Sequence, residues 1–305
     1  MKKIFYLLGL VLLASACDDD DCNCSLNTNK PGDTDGKGNY IVLFEAGVER
    51  ENLLKSASPI QQTDEVYIYA YNDTVKNLSG TPVASGLYQA NTPGILTGMN
   101  SYKMYLPNDT YDFYAVSNNN STAPATFVNG SSEPLKNGVD YLWGKAQSQI
   151  ASQAAKCSFT LNHRATQVII NLTAGNGITI NKLVSATITP SSVGGIMNLE
   201  TGTITPATTL GAAVNMGVAN TNCQYTMLPL NYSNPIAVTF TVLVNGETTA
   251  RTYTSAITAP SGQLSSGNSY LFKAIVNADD ITFAEVYVNA WNNVDETGNP
   301  IYPIQ

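Results

Sequence analysis

The sequence is short of the residues on which most catalytic and metal-binding sites depend. It has one histidine, two tryptophans and five cysteines in 305 residues, and it contains no CxxC pair and no GxSxG, HExxH or phosphate-loop motif. Such motifs hold a nucleophile, a metal ligand or a phosphate in a fixed geometry, so their absence argues against the common hydrolase, zinc and nucleotide-binding classes. We predict that the protein is not an enzyme and uses no cofactor or metal.

Charge is scarce as well. Charged residues make up 12% of the chain and the formal net charge is -8, whereas about a quarter of the residues in an average domain are charged. A helical array is disfavoured by this composition, and the lack of a basic stripe argues against nucleic acid as a partner. The chain is instead rich in residues that suit strands and turns, such as 17 tyrosines and 23 glycines.

The N terminus has the layout of an export signal. Two lysines precede an apolar run from Ile4 to Leu13, which is shorter than the roughly 20 apolar residues that span a bilayer. Small residues then lead into Cys17 in the motif ASAC. An ordinary signal peptidase could cut after Ala16 and secrete the protein, but ASAC also resembles a lipobox, in which the Cys17 thiol is acylated. The lipobox is the reading that we prefer.

The segment after Cys17 is acidic and then flexible. The run Asp18 to Asp21 resembles the signal that sends lipoproteins of Bacteroidetes to the outer face of the outer membrane. Residues 25–38 show no apolar periodicity and are rich in Gly, Pro, Asn and Asp. We assign residues 1–16 to a lipoprotein signal peptide and residues 17–38 to a tether.

Strand patterns dominate from residue 39 onwards. In EVYIYAY, Val66 and Ile68 alternate with tyrosines, as a strand with one face on a core requires. The segment YKMYLPNDTYDFYAV predicts a hairpin that turns at Pro-Asn-Asp-Thr, and the pair Asn245-Gly246 predicts another. Fair helix propensity occurs only from Lys145 to Lys156, so helices are expected to be minor.

Many short strands in a chain of this length predict an all-β fold of two tandem antiparallel β-sandwiches. We place the first at residues 39–162 and the second at residues 163–305. The predicted core residues are those that alternate along the strands: Val66, Ile68, Met104 and Phe113 in the first sandwich, and Val168, Ile170, Phe240 and Val242 in the second.

A few polar and cysteine residues remain as candidate site residues. His163 in LNHRAT is best explained by a packed or hydrogen-bonded structural role, and Asp279-Asp280 by a solvated loop. Cys157 and Cys223 could form a disulfide in an oxidising compartment. Two buried free thiols fit the sequence equally well, so both alternatives stay open.

One segment is unusual. NYIVLFEAGVER, residues 39–50, predicts a near-continuous apolar strand that is buried on both faces and is followed by a polar exit ending in Arg50. The series of lipobox cysteine, acidic tether, this strand, ER and then DEVYIYAYN resembles the fimbrillins, the type V pilus subunit lipoproteins of Bacteroidetes. FTLNHRATQVIINL resembles the family's link between domains, and YTMLPL, LSSGNSYLFKAIV and ITFAEVYVNAW resemble later strands of its second domain.

The resemblance implies two transthyretin-like sandwiches and a fimbrial structural subunit that mediates cell adhesion. Such a subunit reaches the outer membrane as an acylated lipoprotein, and a trypsin-like protease then cuts it behind the first strand. Here that cut falls between Arg50 and Glu51 and removes Cys17 with its lipid. The groove left by the first strand is filled by β-strand addition from another fimbrial subunit, which builds a fimbrium because head-to-tail filling does not close.

Other functions stay open on the sequence alone. Arg50 could be a solvated turn residue of a permanently anchored fimbrial subunit, and Pro300 and Pro303 suit the C-terminal tail poorly to a donated central strand. A surface glycan-binding lipoprotein is the other alternative. Trp143 would be its aromatic platform, although a core position explains Trp143 and Trp291 more simply. The sequence indicates no receptor.

Overall fold

The structure is a computed structural model that describes residues 33–49, 57–75 and 78–291. These ranges contain strands and two short 3-10 turns, at Met99–Ser101 and Pro260–Gly262, but no α-helix. The first eleven strands are β1 (Tyr40–Val48), β2 (Ser58–Pro59), β3 (Glu65–Asn72), β4 (Ala84–Thr92), β5 (Ile95–Gly98), β6 (Tyr105–Leu106), β7 (Asp109–Ser117), β8 (Phe127–Val128), β9 (Ser131–Ser132), β10 (Leu142–Ile150) and β11 (Ala155–His163).

The remaining strands follow directly. They are β12 (Thr166–Ala174), β13 (Ile180–Ile188), β14 (Val214–Asn215), β15 (Gly217–Ala219), β16 (Asn222–Met227), β17 (Leu230–Asn231), β18 (Ile236–Val244), β19 (Arg251–Ile257), β20 (Gln263–Leu264), β21 (Asn268–Val276) and β22 (Ile281–Ala290). The all-β prediction is therefore confirmed for the described residues. No helix among them has the length and apolar content needed to cross a membrane.

The N-terminal strands form a sheet that closes on itself. Its order is β11-β10-β7-β3-β4-β5-β1, and β1 pairs again with β11, so these seven strands make a ring. The neighbouring strands of the ring are antiparallel except for β1 and β11, which are parallel. The expectation of an antiparallel sandwich is thus corrected to a barrel, because the first strand joins the two edges of the sheet.

Alternation along the strands determines which side chains fill this barrel. Val66, Ile68, Met104 and Phe113 are all buried in one core cluster, as the sequence predicted. The tyrosines of β3 point to the outer wall, where Tyr69 and Tyr71 belong to a different cluster. One strand therefore has apolar side chains inside the barrel and aromatic ones outside it.

The C-terminal strands form a sandwich. One sheet has the order β15-β16-β12-β21-β22 and the other β14-β13-β18-β19, and both contribute to a single core. Val168, Ile170, Phe240 and Val242 are buried in that core, as predicted. Strands β12 and β21 are parallel. The expectation of a wholly antiparallel sandwich is therefore wrong for this pair of strands.

One of the two predicted hairpins is wrong and the other is confirmed. The predicted hairpin at residues 102–115 does not form, because β6 pairs with β1 while β7 pairs with β3 and β10. Residues 145–156, the segment with fair helix propensity, lie in β10, β11 and the link between them, where pairing with neighbouring strands overrides local propensity. The hairpin at Asn245-Gly246 joins β18 and β19, and both turn residues have positive φ, 53° and 71°.

A third core cluster connects the barrel wall to the C-terminal part of the chain. It combines Tyr71, Tyr114 and Tyr141 with Leu199 and Leu228, among others. The link between the two parts is short, since β11 ends at His163 and β12 begins at Thr166. Apolar packing thus continues from the barrel into the segment between β13 and β14 and the end of β16.

Candidate functional site

Strand β1 is the centre of the predicted site, and main-chain hydrogen bonds hold both of its edges. Its residues 42–48 run parallel to β11, while its other edge meets β2, β5 and β6. The backbone N–H groups of Val42 and Ala46 donate to the carbonyls of Met104 and Gly94, each at 2.9 Å. β1 therefore has the position of a central strand although it is the first of the chain.

The inward side chains of β1 are part of the barrel core. Phe44 is only 2% exposed, and its ring centroid lies 5.1 Å from that of Tyr88, 5.5 Å from Phe113 and 6.0 Å from Phe159. Edge-to-face and offset pairs at such distances add to the free energy of burial. Loss of β1 would consequently open an apolar groove lined by aromatic rings.

The outward face of β1 is in contact with solvent, which corrects the expectation of a strand buried on both faces. Leu43 is 45% exposed. Glu45 forms an ion pair with Lys156 of β11 at 2.7 Å, and both side chains are about half exposed. The third core cluster covers the outer wall at β3 and β7, whereas no described residue buries Leu43 on the outside of β1.

The predicted cut lies in the connection that follows β1. The backbone N–H of Glu49 donates to the carbonyl of Leu161 at 2.9 Å, so the chain is still in register with β11 at this residue. β2 then pairs back onto the end of β1. Arg50 and Glu51 belong to this connection but lie outside the described residues, as does Cys17. A break in the connection would separate β1 from every later strand.

A cavity of about 170 Å³ lies beside the end of β1. Its lining residues are Glu49, Asn162, His163, Arg164, Gly267 and Ala290. Among the described residues that line this cavity, Glu49 is the one acid and Arg164 is the one permanent cation. Burial lowers the pKa of the Arg164 guanidinium, and the negative charge of Glu49 partly offsets that effect.

Trp143 supports the guanidinium of Arg164. The guanidinium carbon lies 4.7 Å from the centre of the indole ring, and the indole N–H donates to the carbonyl of Leu199 at 2.8 Å. Gly202, with a φ of 68°, packs so closely that a Cβ there would lie 2.4 Å from the ring. Trp143 is thus packed between the two parts of the chain, and its faces are occupied rather than open for a glycan.

His163 has the structural role that the sequence suggested. Its Nδ1 lies 2.8 Å from Oδ1 of Asp140, whose other carboxylate oxygen accepts a hydrogen bond from the side chain of Asn119. The imidazole stacks on the indole of Trp291, with ring centroids 4.7 Å apart and an interplanar angle of 12°. Trp291 is buried, so this pair anchors the end of β22 against the link between the two parts.

The two body cysteines do not form the disulfide that the sequence left open. Cys157 and Cys223 are both free and buried, the first in the barrel core and the second in the sandwich core. Burial raises the pKa of each thiol to about 12. Cys157 lies on β11 directly opposite Phe44 of β1, so β1 helps to bury it.

The predictions from the sequence did not include two residues of this site. Arg164 follows His163 in an unremarkable link, and Glu49 looked like part of a polar exit, with nothing in either segment to indicate that the two share a cavity. Only the parallel pairing of β1 with β11 brings them together. A parallel pairing between the first and the eleventh strand has no local sequence signal.

The architecture defines the chain as an all-β protein in which a barrel, closed by its first strand, packs against a sandwich. A model of the fimbrillin-like family matches residues 55–291. Because this match covers far more than half of the chain, the protein belongs to the fimbrillin-like family. Membership places it among structural proteins of fimbriae rather than among enzymes, which confirms the expectation from the sequence.

Solved structures show the same fold. A candidate cell adhesion protein from Bacteroides uniformis aligns with a TM-score of 0.59 and 17% identity over 83% of this chain and 99% of its own. A candidate cell adhesion protein from Bacteroides ovatus has a TM-score of 0.58 and 16% identity over 81% of this chain and 97% of its own. Another from Bacteroides fragilis has a TM-score of 0.55 and 16% identity over 80% of this chain and 97% of its own. Such low identities show the fold alone. No curated protein matches the sequence.

Proposed function

We propose that the protein is a fimbrial subunit for cell adhesion that is activated by proteolysis and assembled by strand exchange. It is exported as a lipoprotein acylated on Cys17 and displayed on the outer membrane. A trypsin-like protease then cuts between Arg50 and Glu51, and another fimbrial subunit donates the strand that replaces β1. Membership in the fimbrillin-like family supports the fimbrial role, and the position of β1 supports the assembly mechanism.

The observation that carries the proposal is that β1 closes the barrel. One of its edges pairs with β11 and the other with β5, and its Phe44 fills the space between Tyr88 and Phe113. Without β1, both neighbouring strands would have unpaired backbone groups beside an exposed core, which is an unstable arrangement. A replacement strand would restore hydrogen bonds and apolar contacts together.

The same geometry explains why a cut is needed. β1 and β2 are consecutive strands that pair with each other, so an intact chain keeps β1 at a very high local concentration next to its groove. A cut in the connection removes this advantage, and strands from other subunits then compete on equal terms. Since the groove and the donated strand are different surfaces, repeated filling produces an open filament.

The domain assignment is part of the proposal. We divide the chain into an N-terminal domain at residues 39–162, which accepts the strand, and a C-terminal domain at residues 163–305. The separate barrel and sandwich cores support this division. The third core cluster would hold the two domains in one orientation along a filament.

Limited trypsin digestion tests the mechanism. The connection after β1 contains two trypsin sites, Arg50 and Lys55, so Lys55→Ala leaves one site and Arg50→Ala leaves the other. We expect the uncut protein to be a monomer and the Lys55→Ala protein to form oligomers after a cut at Arg50, as measured by size-exclusion chromatography and intact mass.

The matched control is the double variant Arg50→Ala with Lys55→Ala, which keeps β1 attached and is expected to stay monomeric under the same digestion. If the cut Lys55→Ala protein also stays monomeric, strand exchange is wrong. A permanently anchored fimbrial subunit then becomes the better description.

A further inference from the structure

We infer that the cavity at the end of β1 is a carboxylate-binding pocket, and that a strand replacing β1 must place a carboxylate where Glu49 now stands. The carboxylate can come from an acidic side chain or from the end of a chain. This inference rests on the proposed strand exchange, because it concerns the partner that the groove selects. Three features carry it: the register of β1, the immobilised Arg164 and the sharing of one cavity by Arg164 and Glu49.

The register of β1 places residue 49 at the mouth of the cavity. Val48 is paired with Leu161, and the N–H of Glu49 donates to the Leu161 carbonyl. The next residues of β11 and its exit, Asn162 to Arg164, line the cavity. Any strand that enters parallel to β11 in this register therefore brings its residue at position 49 to the same place.

Arg164 is held in position without help from β1. The backbone N–H of Arg164 donates to the carbonyl of Tyr141 at 2.7 Å, and its backbone carbonyl accepts a hydrogen bond from the hydroxyl of Ser266 at 2.6 Å. Its guanidinium lies on the indole of Trp143. The pocket would therefore survive the departure of β1, with its cation in place.

The guanidinium of Arg164 lacks part of its expected hydrogen bonding. Its Nε is buried and has no hydrogen-bond partner among the described residues, although guanidinium donors are normally satisfied. Glu49 supplies the one negative charge among the described residues that line the cavity. A carboxylate placed in this cavity would balance the charge of Arg164, and one in hydrogen-bond contact with the guanidinium would satisfy its donors.

The consequence is a rule for the donated strand. Removing β1 removes the acid of the pocket and leaves a partly desolvated cation behind, which is unfavourable. A strand with a neutral residue at position 49 fills the apolar groove but not the pocket. A strand with a carboxylate there fills both, and so is preferred.

Competition between synthetic strands tests this rule on the cut protein. Three peptides of residues 39–49 would be used: the native sequence with an amidated C terminus, the same peptide with Glu49→Gln, and the Glu49→Gln peptide with a free C-terminal carboxylate. Equimolar pairs are incubated with the trypsin-cut chain, and the bound fraction of each is read by native mass spectrometry. We expect the bound fraction of the native peptide to be about five times that of the amidated Glu49→Gln peptide. The reason is that a partly buried charge pair contributes more to the binding free energy than an exposed one.

The third peptide separates the two sources of the carboxylate. If its free C terminus restores the occupancy, the pocket accepts the end of a chain as well as a side chain. If it does not, the pocket is specific for an acidic side chain, and the inference holds in that form.

A matched control is available on the same strand. Glu45 pairs with Lys156 at 2.7 Å, but their side chains are 40% and 52% exposed. A Glu45→Gln peptide loses the same charge from a solvated pair, so its occupancy should stay within about twofold of the native peptide. The preference for Glu49 should also disappear in an Arg164→Gln protein. The peptide comparison in the unmodified protein decides the matter even if this variant does not fold.

The outcomes distinguish this inference from the proposed function. Equal occupancy by all three peptides would show that strands exchange without any selection by the pocket. That result would contradict the carboxylate-binding role of the cavity but not the proposed strand exchange. If no peptide binds the cut protein, β1 is not replaceable, and strand exchange and the pocket's role fail together.

Discussion

Replacing Phe44 by alanine should release β1 from the cut protein while leaving the uncut protein folded. Phe44 is 2% exposed and contacts three aromatic rings of the barrel core. Truncation of a buried phenylalanine costs about 3–5 kcal/mol in typical cores. In the uncut chain this lowers the free energy of unfolding, but in the cut chain it acts directly on the affinity of the groove for β1.

The neighbouring residue provides the comparison. Leu43 is on the same strand but points outward and is 45% exposed. Leu43→Ala should therefore weaken the binding of β1 to the cut protein by about 1 kcal/mol or less. A cost of about 3 kcal/mol corresponds to more than a hundredfold weaker binding of β1, and about 1 kcal/mol to roughly fivefold. The two variants should therefore differ by well over tenfold.

The thiol of Cys157 reports the release of β1. It lies opposite Phe44, is buried, and has its pKa raised to about 12 by that burial, so it is unreactive while β1 is in place. Cys223 is buried in the other core and serves as an internal reference. The rate of alkylation at each cysteine would be followed by peptide mass spectrometry after the cut at Arg50.

We expect the Phe44→Ala protein to be alkylated at Cys157 about a hundred times faster than the cut wild type, and the Leu43→Ala protein at most about five times faster. Cys223 should stay protected in all three proteins. Equal rates for the two variants would mean that β1 is not anchored by Phe44. Alkylation of both cysteines in parallel would mean that the whole chain unfolds, and the idea of a separable strand would be refuted.

Two further predictions concern the anchor and the junction. Cys17→Ser should block acylation and move the protein from the outer-membrane fraction to the soluble fraction; unchanged fractionation would contradict the lipobox. Gly202→Ala should lower the free energy of unfolding by about 2–3 kcal/mol, because it adds a strained φ and a Cβ 2.4 Å from the Trp143 ring. Gly246→Ala is the control, since Gly246 has a similar φ of 71° but no described residue would lie within 4 Å of the added Cβ. This variant should lower the free energy of unfolding by only about 1 kcal/mol, as measured in urea.

The faces of the strands could be predicted from the sequence because alternation is a local property. Val66, Ile68, Phe240 and Val242 are all buried as expected, and the Asn245-Gly246 turn follows from the positive φ that both residues tolerate. Strand pairing was not predictable in the same way. The segment at 145–156 has helix formers in its sequence, yet β10 pairs along its whole length with β7, and no residue within the segment indicates that partner.

The site shows the same limit. The apolar composition of the first strand is a local feature, and the resemblance to the fimbrillins added the interpretation of β1 and Arg50 as functional. The closing of the barrel depends on pairing between β1 and β11, and the pocket depends on Arg164 in the link after β11. Contacts between segments so far apart in sequence result from the topology of the whole sheet rather than from any motif.

Under the proposed strand exchange, the aromatic groove and the charged pocket would make different contributions to the selection of a strand. The aromatic groove around Phe44 would accept large apolar side chains, and such contacts supply affinity with little discrimination between similar strands. A shift of one residue would turn the apolar side chains outward and also move the carboxylate away from Arg164. If the pocket acts as we infer, Arg164 adds a penalty for strands that have the right composition in the wrong register. Affinity would then come from the core of the barrel, and register from the charge at its end.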